Sequence, residues 1–327
     1  MSVQLWKVLV PALGLSMLWT ACRKEQSATQ TETQHSNIAM YSGTVEDDAA
    51  MVNKTPLVLS ANLLTKLSTA RKSKPGTTTP TDTTTTTVPT TPTDTTTTTT
   101  QPVDTTVIAP TPLPSNYSIV MPSPRYQGSE GSCVAFAVTY ARAAEQYYKT
   151  GAVAYSDAVN VFSPEYVFNQ VTMPGCTGSA VTTSLDLLKN QGVCTWQSMP
   201  YSTNNGCSVL PTTAQFTEAA NYKIASYSRL IDSDKVAIKT MISKNHPVIA
   251  TFTIDQSFYD AYPGFIWKTL TGNSGSHTMA VCGYDDAKHA YKAINSWGPT
   301  WGDAGYIWID YDFFPVAASY YTYVINL

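Results

Sequence analysis

The sequence has 327 residues, of which 20 are Lys or Arg and 23 are Asp or Glu, and charged residues make up only 13% of the chain. A net charge of -3 leaves no basic excess of the kind that neutralises phosphates, so nucleic acid is not an expected partner. The apolar runs are shorter than the about 20 residues that a membrane-spanning helix needs. We therefore expect neither a nucleic-acid-binding protein nor a protein that crosses a bilayer.

Residues 1–22 have the pattern of a secretion signal. Lys7 supplies the positive charge, and the apolar run from Val8 to Trp19 is too short to span a membrane. Two small residues and Cys22 follow, which resembles the bacterial lipobox, where the cysteine receives a lipid and becomes the new N-terminus. An ordinary signal cleaved near the same place would instead release the protein. Both alternatives place it outside the cytoplasm, and we expect a bacterial lipoprotein whose only membrane contact is the lipid on Cys22. Exposure on the outer membrane surface stays open.

Two further segments precede the main domain. Residues 23–72 are polar and mixed, with one weakly amphipathic stretch from Leu57 to Leu67 that predicts a short helix. Residues 73–114 consist mostly of Thr, Pro and Asp, and contain too little apolar surface to offset the entropy of ordering them. This composition predicts a disordered tether. Its recurring Asp-Thr-Thr triplet resembles a bacterial O-glycosylation acceptor, but composition alone also explains it.

Residues 115–327 predict one domain of mixed structure. Apolar residues at intervals of three or four residues from Cys133 to Tyr148, followed by Gly151, predict one long buried helix, and a second helical pattern covers 179–189. Short β-branched and aromatic runs then follow at 248–254, 277–284, 292–296 and 306–310. Helices first and strands afterwards predict an α+β fold with two lobes.

Three residues far apart in this domain form a set with a known chemistry. Cys133 lies at the first turn of the predicted long helix, where unpaired N–H groups and the helix dipole favour a thiolate. His277 opens an apolar strand, and Asn295 opens the segment NSWGPTWGDAGY. In such a set the imidazole deprotonates the thiol and the amide oxygen fixes the imidazole tautomer. The sequence therefore predicts a nucleophilic thiol at Cys133.

The motifs around these residues resemble the papain-like cysteine peptidases. QGSEGSCVAF resembles the stretch around the family's nucleophile, with Gln127 six residues before Cys133. SPEYVFN with GCTGS, then SHTMAVCGYDD, then NSWGPTWGDAGYIWI resemble three more family segments in the same order. The resemblance covers all of 115–327. It implies the papain-like two-lobe fold, with the nucleophile helix in a helical lobe and the His and Asn in a β-barrel-like lobe.

The resemblance also implies a role for individual residues. Cys133 would attack the scissile carbonyl, His277 would protonate the leaving amine, and Asn295 would orient the imidazole. The side chain of Gln127 and the backbone N–H of Cys133 would bind the oxyanion. Trp297 would lie over the hydrogen bond between Asn295 and His277. The residues that would line the substrate cleft are Gly131, Gly178, Ser179, Ser276 and Trp297.

The sequence departs from the family pattern at several positions. The family's tryptophan after the nucleophile is Val134, and two family disulfides cannot form because the partner positions hold Glu130 and Gln170. A replacement bridge stays open among three cysteines, and the sequence does not choose the pair: Cys176, Cys194 and Cys207. Cys282 falls at an odd offset from His277 in a predicted strand, which places it on the opposite face as buried structure.

These observations predict a monomeric peptidase that acts on peptides or proteins. No HExxH motif, CxxC pair or Walker loop occurs, so we expect no metal and no cofactor. Residues 23–114 do not resemble the family's inhibitory propeptide, so the enzyme is either kept inactive in another way or needs no inhibition. Two alternatives stay open. One is a non-catalytic binding or adhesion module on a surface stalk, and the other is the same fold with a different reaction, either acyl transfer to an amine or exopeptidase trimming.

Overall fold

A computed structural model of the chain describes residues 44–72, 105–109, 112–203, 206–318 and 321–327. The predicted signal, with Cys22, and residues 73–104 of the predicted tether lie outside these ranges. Within them, ten strands form one continuous sheet, and nine α-helices and one 3-10 turn accompany it. None of the helices in these ranges combines the length and the apolar character that crossing a membrane requires.

The strands of the sheet pair in the order β2-β1-β4-β10-β5-β7-β8-β9-β6, and β3 pairs with β7. In chain order they are β1 (Leu57–Ser60), β2 (Thr105–Ile108), β3 (Asn116–Ser118), β4 (Ser226–Leu230), β5 (Val248–Ile254), β6 (Ile266–Trp267), β7 (Gly275–Asp285), β8 (Ala290–Ile294), β9 (Tyr306–Asp310) and β10 (Thr322–Asn326). Antiparallel pairs of β5 with β7 and of β7 with β8 form its centre. The four predicted C-terminal strands are thereby confirmed, two of them with unchanged bounds.

The helices lie mostly before the central strands in the chain. They are α1 (Ala49–Lys54), α2 (Ala61–Lys72), α3 (Cys133–Thr150), α4 (Pro164–Val171), α5 (Val181–Asn190), α6 (Thr213–Ala219), α7 (Lys235–Ser243), α8 (Gln256–Tyr259) and α9 (Phe314–Ala317). A 3-10 turn follows α6 at Ala220–Tyr222. Gly151 ends α3 in the left-handed conformation, with φ of 64°. The long helix predicted to end at this glycine is confirmed.

Two hydrophobic cores give the fold its two lobes. One packs against the central strands and contains Phe252, Phe258 and Trp267, and the other surrounds α3, α4 and α5. The faces of α3 belong to different cores, because Phe136 packs in the first and Val134 in the second. The predicted two-lobe α+β fold is confirmed, and α3 places its N-terminus where the lobes meet.

One edge of the sheet is formed by residues that the sequence analysis placed outside the domain. β1 pairs in parallel with β4, with Leu57 opposite Arg229 and Val58 opposite Leu230. The predicted helix from Leu57 is wrong for the first four residues, because Val58 and Leu59 are buried as sheet residues. The helix begins only at Ala61.

The end of the predicted tether lies at the same edge. Thr105–Ile108 pair in parallel with β1, so the prediction of disorder over 73–114 is wrong for these residues. Their backbone groups pair with the open edge of β1, and this pairing stabilises the strand despite its polar composition. The described elements on either side of the Thr-rich tract, α2 and β2, both contact β1.

Candidate active site

The predicted nucleophile occupies the first position of α3. Cys133 has no exposed surface, and burial by itself raises the pKa of its thiol. The nearby charge of His277 and the hydroxyl of Thr44 act in the opposite direction and lower that pKa to about 7. A large fraction of a thiol with this pKa is ionised near neutral pH, which is the form that attacks carbonyl carbon.

His277 lies on β7, and Asn295 directly follows β8. The Nε2 atom of His277 lies 2.7 Å from Oδ1 of Asn295, an oxygen that also accepts the backbone N–H of Ser296. Because an amide oxygen can only accept, Nε2 carries the proton of this bond. Nδ1 is thus the ring nitrogen left for Cys133, although among the described residues it makes no hydrogen bond of ordinary geometry.

Aromatic rings surround the imidazole. The ring of Trp297 lies 4.6 Å from that of His277, and Phe258 lies 5.7 Å from it. Tyr259 stacks on Trp297 at 5.3 Å with an interplanar angle of 2°. This apolar cover keeps water from the His277–Asn295 hydrogen bond and so strengthens it. Trp297 was predicted to lie over this hydrogen bond, and its ring contacts that of His277.

Gln127 is held so that its amide points toward the thiol loop. Its Oε1 accepts from the Ser296 hydroxyl at 2.5 Å, and its backbone N–H donates to the Ser296 carbonyl at 2.8 Å. Nε2 donates to the carbonyl of Glu130 at 2.8 Å, the one bond it makes to the described residues. One amide hydrogen therefore stays available, beside the unpaired N–H of Cys133 at the helix N-terminus.

A glycine allows the cleft wall to approach this loop. A Cβ on Gly131 would lie 2.9 Å from the carbonyl carbon of Thr177 and 3.0 Å from the backbone nitrogen of Gly178. Gly178 has φ of 136°, a conformation that side chains rarely tolerate. Both glycines therefore meet a backbone requirement at the positions predicted to line the cleft.

Residues 44–60, which we call the N-terminal strap, begin in the cleft and continue to β1 at the edge of the sheet. Thr44 places its hydroxyl 3.6 Å from the Sγ of Cys133, and its carbonyl accepts from the Ser276 hydroxyl at 3.1 Å. The backbone N–H of Val45 donates to the carbonyl of Ser179 at 3.0 Å. Cys133 has no exposed surface, and this segment is one of the elements that contact its thiol.

The strap is fixed further along by a buried carboxylate. Asp47 is 7% exposed, and its Oδ1 accepts from the backbone N–H and the hydroxyl of Thr182 at 2.8 and 2.7 Å. Its Oδ2 accepts from the Tyr323 hydroxyl at 2.7 Å. Thr182 belongs to the first turn of α5, where unpaired N–H groups favour an anion. Val52 is fully buried, and β1 then joins the strap to the sheet.

The remaining cysteines divide into a bridge and two buried thiols. Cys176 and Cys207 form a disulfide, which answers the question of pairing that the sequence left open. Cys194 and Cys282 are free, and burial raises the pKa of both thiols to about 12. Thiols with such a pKa stay protonated, so neither competes with Cys133 as a nucleophile.

One group of side chains in the described ranges has the donor set of a metal site. His289, Asp310 and Asp312 offer ligand atoms within 4.8 Å of one another. Two of the three are solvent-exposed, and Nε2 of His289 already lies 3.1 Å from Asp312. The group contains no residue of the candidate site.

Three residues at the site were not predicted from the sequence. Thr44 and Asp47 belong to a polar segment in which no local pattern marks a contact with the cleft. Tyr201 brings its hydroxyl within 2.7 Å of the Ser132 hydroxyl and 2.8 Å of the Gln127 carbonyl. Each contact joins residues distant in sequence, so no spacing rule could have found them.

A thiol at a helix N-terminus, facing an imidazole and an amide from the other lobe, defines the class of two-lobe thiol hydrolases. Residues 115–317 match the family described as Papain family cysteine protease, and they make up more than half of the chain. The chain belongs to this family.

Three curated relatives illustrate the similarity. The chain is 31% identical over 184 residues to gamete and mating-type specific protein A of Dictyostelium discoideum, covering 56% of this chain and 39% of that protein. It is 27% identical over 188 residues to macrodontain-1 of Ananas macrodontes, covering 57% of this chain and 82% of that protein. The match to cathepsin B-like protease 1 of Arabidopsis thaliana also spans 39% of the relative. The chain thus spans about two fifths of the length of two of these relatives.

Solved structures agree on the fold. Xylellain, a cysteine protease from Xylella fastidiosa, superposes with a TM-score of 0.57 at 22% identity, covering 66% of this chain and 87% of that one. A procathepsin L 3 of Tenebrio molitor larval midgut gives a TM-score of 0.55 at 17% identity, covering 66% and 71%. At these identities the likeness concerns the fold alone.

Proposed function

We propose that this protein is a cysteine peptidase that hydrolyses peptide bonds with Cys133 as nucleophile. The observation that carries the proposal is the buried thiol with a pKa of about 7, beside an imidazole whose ring Asn295 holds at 2.7 Å. A thiol buried without such partners has a raised pKa, as Cys194 and Cys282 do. The lowered value at Cys133 is the electrostatic signature of a nucleophile.

The geometry supports a two-step reaction. The Cys133 thiolate attacks the carbonyl carbon, and the developing oxyanion accepts from the Cys133 N–H and the free amide hydrogen of Gln127. The C–N bond then breaks as His277 gives the proton on Nδ1 to the leaving amine, which leaves an acyl-enzyme. A water molecule transfers a proton to His277 and attacks the acyl carbon. Cleavage of the C–S bond releases the acid and restores the thiolate.

The proposed peptidase is latent while the N-terminal strap lies in the cleft. Thr44 contacts the Cys133 thiol, and Val45 and Thr44 use the backbone and hydroxyl groups of Ser179 and Ser276 that an extended substrate would need. Latency is therefore managed inside the folded domain, by a segment that also forms a strand of its sheet. Activity requires the strap to leave the cleft.

The proposed location is outside the cytoplasm, on a bacterial membrane to which a lipid on Cys22 attaches the protein. The apolar run from Val8 to Trp19 and the small residues before Cys22 support this. About 20 residues, 23–43, connect Cys22 to the strap, a reach of roughly 70 Å at full extension. Peptides or proteins outside the cytoplasm would be the substrates of a monomeric enzyme. Incorporation of labelled fatty acid by the wild type but not by Cys22→Ala tests the attachment.

A peptide-library digest analysed by mass spectrometry tests the peptidase activity. We compare the wild type and Asp47→Ala, a variant that loosens the strap, each with and without Cys133→Ser. We expect new peptide termini in the Asp47→Ala digest that disappear with Cys133→Ser. Incorporation of one oxygen from labelled water distinguishes hydrolysis from transfer to an amine.

The occupied cleft favours a second candidate, a non-catalytic binding module. A module of this kind would keep the strap in place and use its outer surface. It predicts no products that depend on Cys133 even in Asp47→Ala, although iodoacetamide alkylates the thiol. That result would refute the peptidase.

A further inference from the structure

The loop that carries the proposed oxyanion hole, residues 127–133, is held from two sides. On one side Ser296 binds Gln127 through its hydroxyl and its carbonyl, as described above. On the other side lies Tyr201, whose hydroxyl is within 2.7 Å of Ser132, 2.8 Å of the Gln127 carbonyl and 2.9 Å of Oε2 of Glu130. One phenol thus contacts the first residue of the loop, its middle, and the residue before the nucleophile.

The ring of Tyr201 has a fixed position. It packs edge-on against Phe136 of α3, with the ring centroids 4.7 Å apart, and it lies 6.4 Å from Trp196. Burial raises the pKa of the phenol, so the hydroxyl keeps its proton over the pH range in which proteins are stable. A buried phenol held by packing can therefore fix the groups that bond to it.

The contact with Ser132 affects the helix N-terminus. Ser132 is the residue before α3, a position where serine hydroxyls commonly bond to the first free N–H groups of the helix. Here the hydroxyl makes no such bond and contacts Tyr201 instead. The N–H groups at the start of α3 stay open as a result, and that of Cys133 is one of the two proposed oxyanion donors.

The phenol has one proton and three oxygen neighbours. The Gln127 carbonyl can only accept, so Tyr201 donates to it. Oε2 of Glu130 lies 2.9 Å from the same hydroxyl as a second acceptor, so the single phenol proton is divided between two oxygens unless the carboxyl carries a proton of its own. Burial raises the pKa of Glu130, and the charge of Glu165 raises it further, against the lowering effect of Tyr201 and of the backbone at Gly206. Tyr201 and Glu165 are thus the titratable groups of the described residues that act on the Glu130 carboxyl.

We propose that Tyr201 is a positioning residue for the oxyanion hole, and that the protonated carboxyl of Glu130 directs the phenol proton to the Gln127 carbonyl. This inference rests on the proposed peptidase function. Ionisation of Glu130 draws the phenol proton to the carboxylate and frees the Gln127 carbonyl. The loop then loses one of its two attachments, while the thiol and the imidazole keep theirs.

The first test separates the oxyanion loop from the thiol. We compare Tyr201→Phe with its parent as the full chain, in the wild-type and Asp47→Ala backgrounds, for peptide hydrolysis and for alkylation of Cys133 by iodoacetamide. Alkylation needs the thiolate but no oxyanion donor. We expect kcat/KM to fall roughly ten-fold through kcat, and the alkylation rate to change less than about two-fold.

Tyr155→Phe is the matched control. Its phenol also donates to a backbone carbonyl, that of Val120 at 2.8 Å, outside the loop. We expect it to leave both rates unchanged. Equal losses in hydrolysis and alkylation for Tyr201→Phe would indicate a general structural role and overturn the inference, as would no loss at all. A parent without Cys133-dependent hydrolysis would overturn the proposed function and this inference together.

The second test concerns the proton on Glu130. In the wild type, the ratio of the hydrolysis rate to the alkylation rate should decline as pH rises and Glu130 ionises. Glutamine keeps a donor for the phenol at every pH, so this ratio should not decline in Glu130→Gln. Glu130→Ala removes the donor and should show a low ratio at every pH. Identical pH dependence of this ratio in the wild type and Glu130→Gln would overturn the role of the Glu130 proton. Thermal unfolding of each variant shows whether it folds.

Discussion

The carboxylate of Asp47 attaches the N-terminal strap next to the cleft, and its removal should expose the thiol. Asp47→Ala deletes three hydrogen bonds, two to Thr182 and one to Tyr323. A hydrogen bond to a charged group contributes about 1.5 to 3 kcal/mol, and bonds to one carboxylate are not additive, so we take about 3 kcal/mol for the set. Since about 1.4 kcal/mol is a factor of ten, the open population should rise roughly 100-fold.

The rate of alkylation of Cys133 by iodoacetamide measures this population directly. Because the thiol has no exposed surface, the reagent reaches it only in the open state. When opening and closing are fast relative to alkylation, the rate is proportional to the open fraction. We therefore expect Asp47→Ala to react roughly 100-fold faster than the wild type at the same pH.

Asp48→Ala is the matched control, since it removes the same charge from the adjacent position. Asp48 accepts from the backbone N–H groups of Ala50 and Met51, at 2.7 and 3.4 Å, and its bonds stay inside the strap. We expect an alkylation rate within about three-fold of the wild type. An Asp47→Ala variant that reacts at the wild-type rate, or an Asp48→Ala variant that reacts equally fast, would refute the attachment.

Three further outcomes follow from the structure. The alkylation rate of Cys133 should rise with pH up to the thiol pKa of about 7 and then level off. In His277→Ala the rise should continue to higher pH, because burial then raises the pKa of the thiol without the opposing charge of His277. An unchanged pH profile in His277→Ala would argue against that charge. Serine at both Cys176 and Cys207 opens a bridge across 31 residues and should lower the free energy of unfolding by about 3 kcal/mol, measured by urea denaturation against the wild type under oxidising conditions. Gly192→Ala should destabilise the fold by more than about 2 kcal/mol in the same assay, since its Cβ would lie 1.8 Å from a backbone oxygen at a φ of 88°, and an unchanged midpoint would contradict this contact.

Local sequence patterns determined the central elements of this protein. The ladder of apolar residues from Cys133 and the glycine at 151 fix the ends of α3, because helical periodicity and a left-handed cap act over a few residues. The run at 248–254 forms a strand with unchanged bounds for a similar reason. The candidate residues Cys133, His277 and Asn295 were also identified from short motifs, which carry their own turn and helix signals.

Tertiary structure decided what lies in the cleft and what holds it there. Asp47 and Tyr323 are 276 positions apart, and the bond between them stabilises the strap only once α5 and β10 are assembled. The pairing of Cys176 with Cys207, the place of β2 at the sheet edge and the contacts of Tyr201 depend on the same assembly. Periodicity, caps and short motifs reflect interactions between residues that are close in sequence. A polar contact between distant segments produces no local sequence pattern. Only the folded chain therefore shows that its own N-terminal segment contacts the nucleophile.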